Sequence, residues 1–164
     1  MGNLDILTPR GQESLRQERR MLDAIKDVWG FQVFETDKDS PCEVDGFLGR
    51  DNIVVGVFES KCRKLTMAQL HKFDNRWLVT FDKVLAGLSF SRKLQVPYYG
   101  LIYLLDDSVG LMIQISDAKG SPIVNMDVAQ TTTQRTVNGG TIQRANAYID
   151  MSTAYQFPIP SEAQ

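Results

Sequence analysis

The run Val57-Phe58-Glu59-Ser60-Lys61 sets the hardest condition on any fold of this chain. It ends an apolar stretch that reads as a strand from Ile53 to Lys61. A strand alternates its faces, so Glu59 and Lys61 project to the same side. Asp45 lies across a hairpin predicted to begin around Glu43 and turn at Gly49-Arg50-Asp51-Asn52. Opposite charges at the end of an apolar strand, facing a second carboxylate, are costly to bury without a task. The bland outcome is a solvated pair on an edge strand.

Whether Asp45 meets Glu59 depends on register. With a three-residue loop at 50–52, Asp45 lies opposite Val57, one diagonal step from Glu59 on the same face. A two-residue loop turns Asp45 away unless a bulge near Gly46 restores it. As an alternative, Asp45 before Gly46 is only a turn former, and Asp37 or Asp39 takes its place.

The first long element reads as a helix. Thr8 suits the N-cap, Pro9 the first helical position, and Gly30 the stop after Trp29. Leu15, Leu22, Ile25 and Trp29 form one stripe at helical steps. Glu18 falls on that stripe, where an apolar residue is expected; its ordinary role would be to pair with Lys26 or Arg19. A strand follows near Phe31 to Glu35. A second long helix is predicted from Thr66 to about Phe90, with Leu70, Phe73, Trp77, Phe81, Val84 and Leu88 as its apolar face. Tyr99 to Leu105 and Leu111 to Ile115 read as strands. Val137-Asn138-Gly139-Gly140-Thr141 suggests a hairpin turn, and Thr131 to Thr136 reads as an exposed strand or a loop.

Composition removes several classes. The apolar and charged fractions, 43% and 23%, are those of a globular domain, and 164 residues suit a single one spanning 1–164. No apolar stretch has the length of a membrane span, and the N-terminus lacks a secretory pattern, so the expected location is cytoplasmic. Cys42 and Cys62 are too few for a disulfide framework, and no Cys/His cluster has zinc spacing. The single histidine, His71, is expected on a solvated helix face. A net charge of −2 supplies no global attraction for nucleic acid, so any such contact needs a local patch.

A carboxylate pair can hold a hard divalent cation through oxygen ligands, and a neighbouring ammonium can steer or activate a water. The order helix, strand, hairpin, helix, strand carries Glu18, then Asp45, then Glu59-Ser60-Lys61, and in this it resembles the PD-(D/E)XK nuclease superfamily. Glu18-Arg19 followed downstream by Gly30-Phe31 is similar to archaeal Holliday-junction resolvases and related small endonucleases. The resemblance covers roughly residues 10 to 105 and leaves 123–164 as an extension of unassigned role. Val44 stands where the family name expects proline before the aspartate; Pro41 lies four positions upstream of Asp45.

The resemblance implies an α/β, restriction-endonuclease-like core, a mixed central sheet flanked by helices. It implies that Asp45 and Glu59 coordinate Mg²⁺ or Mn²⁺, with the Ser60 carbonyl as a further oxygen and Glu18 acting through water or on a second ion. Lys61 would orient the attacking water. Gln69 occupies the place of a helix residue near the site in some members, although Thr66-x-x-Gln69 is also a capping box. Arg19, Arg63, Lys64, Lys72 and Arg76 form a basic rim suited to phosphates. The expected activity is metal-dependent hydrolysis of DNA, structure-specific because little chain is left for sequence recognition. A homodimer is the expected assembly, since two scissions need two centres. The alternative is a catalytically silent nucleic-acid-binding or assembly protein on the same fold.

Overall fold

The computed structural model describes residues 8–37, 42–135 and 140–161. Helix α1 (Pro9–Trp29) begins and ends as its sequence dictates. The Thr8 hydroxyl accepts from the Gly11 N–H at 3.0 Å, and Gly30, at φ 69°, closes the helix by donating to the Lys26 carbonyl at 2.8 Å. Leu15, Met21, Leu22, Ala24 and Ile25 are buried along one side, as the periodicity requires.

Five strands form most of the main sheet: β1 (Gln32–Glu35), β2 (Gly46–Arg50), β3 (Ile53–Arg63), β5 (Tyr98–Leu104) and β6 (Val109–Ser116). The sheet runs β1-β2-β3-β5-β6 and is completed by β9 (Tyr155–Pro158). Its β3–β5 pair is parallel and its other pairs antiparallel, so the sheet is mixed. A parallel pair needs a crossover. Here it comprises α2 (Met67–Lys72), β4 (Arg76–Thr80) and α3 (Phe81–Leu94).

This crossover replaces the long helix predicted for Thr66 to Phe90. Asp74 and Asn75 both take left-handed backbone angles, φ 56° and 57°, which no helix tolerates in succession. The following Trp77-Leu78-Val79-Thr80 is rich in aromatic and β-branched residues and pairs with a later strand. Leu70, Trp77 and Val84 are buried as the stripe predicted, but three different elements supply them. Phe73, expected in the same stripe, is 59% exposed.

The C-terminal third folds back onto this crossover. Strands β7 (Met126–Arg135) and β8 (Thr141–Asp150) pair antiparallel, and β8 pairs with β4, making a second sheet in the order β4-β8-β7. The stretch 131–135 is thus strand. The predicted turn at 137–139 lies outside the described residues.

Two apolar clusters hold the layers together. α1 packs on one face of the main sheet with Leu48, Phe58, Leu101, Tyr103 and Phe157. On the other face Val57, Tyr98, Ile102 and Ile113 meet Val84 of α3 and Trp77, Val79, Ala147 and Ile149 of the small sheet. Residues 56–60 of β3 are consequently covered on both sides, which suits Val57 and Phe58 and isolates Glu59 from water. Among the described residues no helix is long and apolar enough to cross a membrane.

Candidate functional site

The hairpin settles the position of Asp45. Its turn has two central residues, Asp51 and Asn52, both at positive φ (51° and 64°), the conformation of tight hairpin turns. By itself this register would turn Asp45 away from Glu59. A bulge intervenes: Gly49 pairs with Val54 but Leu48 pairs with Gly56, leaving Val55 extra on β3. Gly46 then lies opposite Phe58, and continuing the register sets Asp45 beside Glu59. The correction occurs at Leu48/Gly49, two residues further into β2 than the sequence suggested.

The β2–β3 ladder ends at Gly46, so the next β3 amides lack a strand partner on that side. The Asp45 carboxylate fills the gap, its Oδ2 accepting from the Ser60 N–H at 2.8 Å, while the Asp45 N–H donates to the Phe58 carbonyl at 3.2 Å. Asp45 therefore also has a structural task, tying the end of the hairpin to β3.

Glu59 is the anomaly. It is 1% exposed, and neither carboxylate oxygen has a hydrogen-bond partner among the described residues. Burial and the Asp45 charge push its pKa up to about 8, against the pull of Lys61 and Lys83. With one proton between them the two carboxylates can bond to each other; with both ionised, neither has a proton to offer. A buried anion without a donor is unstable, so the pair requires a proton or a cation. Lys61 follows two residues on and is half-buried, as strand alternation predicts for a residue near the rim.

Glu18 is placed differently. Its charge acts on Cys62 and Arg63, at the end of β3. Burial together with Glu18 pushes the Cys62 thiol up to about 12, and burial lowers Arg63. Of the two cations expected near Glu18, Lys26 pairs with Asp23 at 3.3 Å and Arg19 with Glu35 at 3.6 Å. Among the described residues no group of three or more His, Cys, Asp or Glu side chains gathers at metal-holding distance. Asp45 and Glu59 thus stand as a pair. Asp37, one substitute for Asp45, is exposed, and Asp39 lies outside the described residues.

The proposed rim divides. Arg76 is bound to Asp127 at 2.6 Å, and the half-buried Arg63 donates to the Cys62 carbonyl at 3.0 Å. Lys64 and Lys72 are exposed. Gln69 completes the capping box of α2, its side-chain oxygen accepting from the Thr66 N–H at 2.9 Å. His71 is exposed against Asn75.

Two residues that the sequence did not single out enter the site through the crossover. Lys83 of α3 donates to the Cys42 carbonyl at 3.0 Å, anchoring the approach to Asp45, and its charge reaches Glu59. Tyr98 of β5 is fully buried, and its hydroxyl has no partner among the described residues. Burial, then the charges of Glu59 and Asp45, raise it well above the ordinary phenol range. Gly87 carries the one sequence signal for this packing: a Cβ there would come within 2.2 Å of the Tyr98 ring.

A groove of about 690 Å³ adjoins the site. Glu43, Thr80, Asp82 and Lys83 line one side, and Gln130, Gln143 and Arg144 of the small sheet line the other. Asp45, Glu59 and Lys61 lie outside this lining; Lys83 and Glu43 connect the two. The donors fit a hard cation: paired oxygens and, among the described residues, no thiolate or imidazole beside them and no hydrogen-bond donor to the two buried Glu59 oxygens. No protein-family model, curated protein or solved structure was found to match the chain.

Proposed function

We propose that this chain is a metal-dependent DNA endonuclease built on a restriction-endonuclease-like core. The observation that carries the reading is Glu59: fully buried, with no hydrogen-bond donor to either oxygen among the described residues, beside Asp45 and two residues before Lys61. Asp45 and Glu59 would hold Mg²⁺ or Mn²⁺ together with the Ser60 carbonyl. When bound, such an ion acidifies water and neutralises charge building on a phosphoryl group.

The chain's own residues do the rest. Lys61, on the face of Glu59, orients the attacking water and offsets negative charge on the phosphate. Lys83 holds the segment leading into Asp45 through the Cys42 carbonyl, which keeps the two carboxylates together. Exposed Lys64 and Lys72 contribute salt-dependent affinity for phosphates. The groove between α3 and the small sheet gives the scissile strand an approach toward Lys83. Paired incisions would require two copies of the chain, one site each.

A second reading, a catalytically silent nucleic-acid-binding or assembly protein, draws on the lack of a third acidic, His or Cys partner for the pair among the described residues. One assay separates them. Purified protein is incubated with branched, single-stranded and linear duplex DNA in Mg²⁺ or Mn²⁺, alongside Lys61→Ala. The enzyme reading expects cleavage by the wild type, loss of cleavage in Lys61→Ala, and similar DNA affinity in both. Binding without cleavage of any substrate selects the silent module.

A further inference from the structure

On the face of β3 that carries Glu59, a second polar group, the Tyr98 hydroxyl, is buried with no partner among the described residues. Tyr98 pairs in register with Val57, and Gly100 with Glu59, so Tyr98 and Glu59 are diagonal neighbours on one face of the parallel pair. The Tyr98 ring is pressed against Gly87, whose missing side chain leaves it room. Gly87 is one helical turn beyond Lys83, so a single face of α3 covers both Tyr98 and the approach to Glu59. A phenol hydroxyl seldom stays buried unpaired, because its desolvation is uncompensated. Phenylalanine would fill the same space without that cost.

We propose that Tyr98 is a positioning residue for Glu59: its hydroxyl is the donor that holds the Glu59 carboxylate when a divalent cation occupies the Asp45–Glu59 pair. The proposal rests on the metal-site reading above. A carboxylate that gives one oxygen to a cation still has a second oxygen to satisfy, and here that oxygen is out of reach of bulk water. The Tyr98 O–H supplies the hydrogen bond, directly or through one buried water. Outer partners of this kind fix the orientation of metal-binding carboxylates, and their removal typically weakens metal affinity by about 10- to 100-fold. Without the cation, the Tyr98 hydroxyl and both Glu59 oxygens have no hydrogen-bond partner among the described residues.

Tyr98→Phe is the test, since it deletes one oxygen and keeps the ring in its notch. The metal-free variant should melt at the same temperature as the wild type or higher. Its Mn²⁺ dissociation constant, measured by calorimetry with Mn²⁺ alone, should rise about tenfold. Unchanged Mn²⁺ affinity in Tyr98→Phe, where Glu59→Gln abolishes binding, overturns the proposal and spares the metal site. If Glu59→Gln and Asp45→Asn also leave Mn²⁺ affinity unchanged, the metal-site reading fails. The proposal for Tyr98 then falls with it, whatever the Tyr98→Phe result.

Discussion

Phe58 and Glu59 are neighbours on one strand, equally buried at 0% and 1%, and they face opposite sides of the main sheet. Phe58 sits among Leu22, Ile25, Leu48 and Leu101, a dry apolar layer closed by α1. Glu59 enters the layer closed by α3 and the small sheet, beside Asp45 and diagonal to Tyr98, whose hydroxyl has no partner among the described residues. The same depth of burial stabilises the fold on one side and weakens it on the other. One face is architecture; the other holds charge in place at a cost that only a bound cation or proton relieves.

The strongest way to break this contrast is to truncate both residues. Phe58→Ala should cost about 3–5 kcal/mol, the usual figure for a buried aromatic, read as a lower urea midpoint. Glu59→Ala should cost far less, because a buried group with no partner is removed along with its contacts. Equal losses would mean that Glu59 is an ordinary part of the core.

A second test uses pH. In the folded, metal-free chain Glu59 titrates near 8 instead of 4.5, so the native state binds this proton more tightly than the unfolded state. The stabilisation is fully present below pH 4.5 and is lost as pH rises through about 8. The wild type should therefore lose on the order of 3 to 5 kcal/mol relative to Glu59→Gln across that window. Parallel stability curves for the two proteins would contradict the site's electrostatics.

Much of this contrast was legible in the sequence, but unevenly. Helix α1 was readable to its caps because Thr8, Pro9 and Gly30 each act locally. The pairing of Asp45 with Glu59 was readable only conditionally, since it required both a turn length and a bulge, and the bulge between Leu48 and Gly49 has no strong local signature. Residues 66–90 were misread because Leu70, Trp77 and Val84 keep helical spacing while the chain passes through helix, strand and helix. The signal against a continuous helix was Asp74-Asn75, two residues that tolerate left-handed backbone. Lys83 and Tyr98 were invisible as site residues, because only the crossover between parallel strands carries them to Glu59.

A smaller prediction sharpens the α1 side. With its thiol pushed up to about 12, Cys62 carries almost no thiolate at pH 8. Iodoacetamide should leave it unmodified in the native protein and label it after unfolding. Rapid labelling of native Cys62 would show that α1 does not close over this end of β3 as described.

The reading of the Asp45–Glu59 pair as a divalent-cation site meets its sharpest test in Mn²⁺ titration calorimetry at pH 8. The wild type should show a binding site that Glu59→Gln and Asp45→Asn each weaken by at least about tenfold, with Glu59→Gln melting no lower than the wild type. Mn²⁺ affinity unchanged in both variants would contradict it.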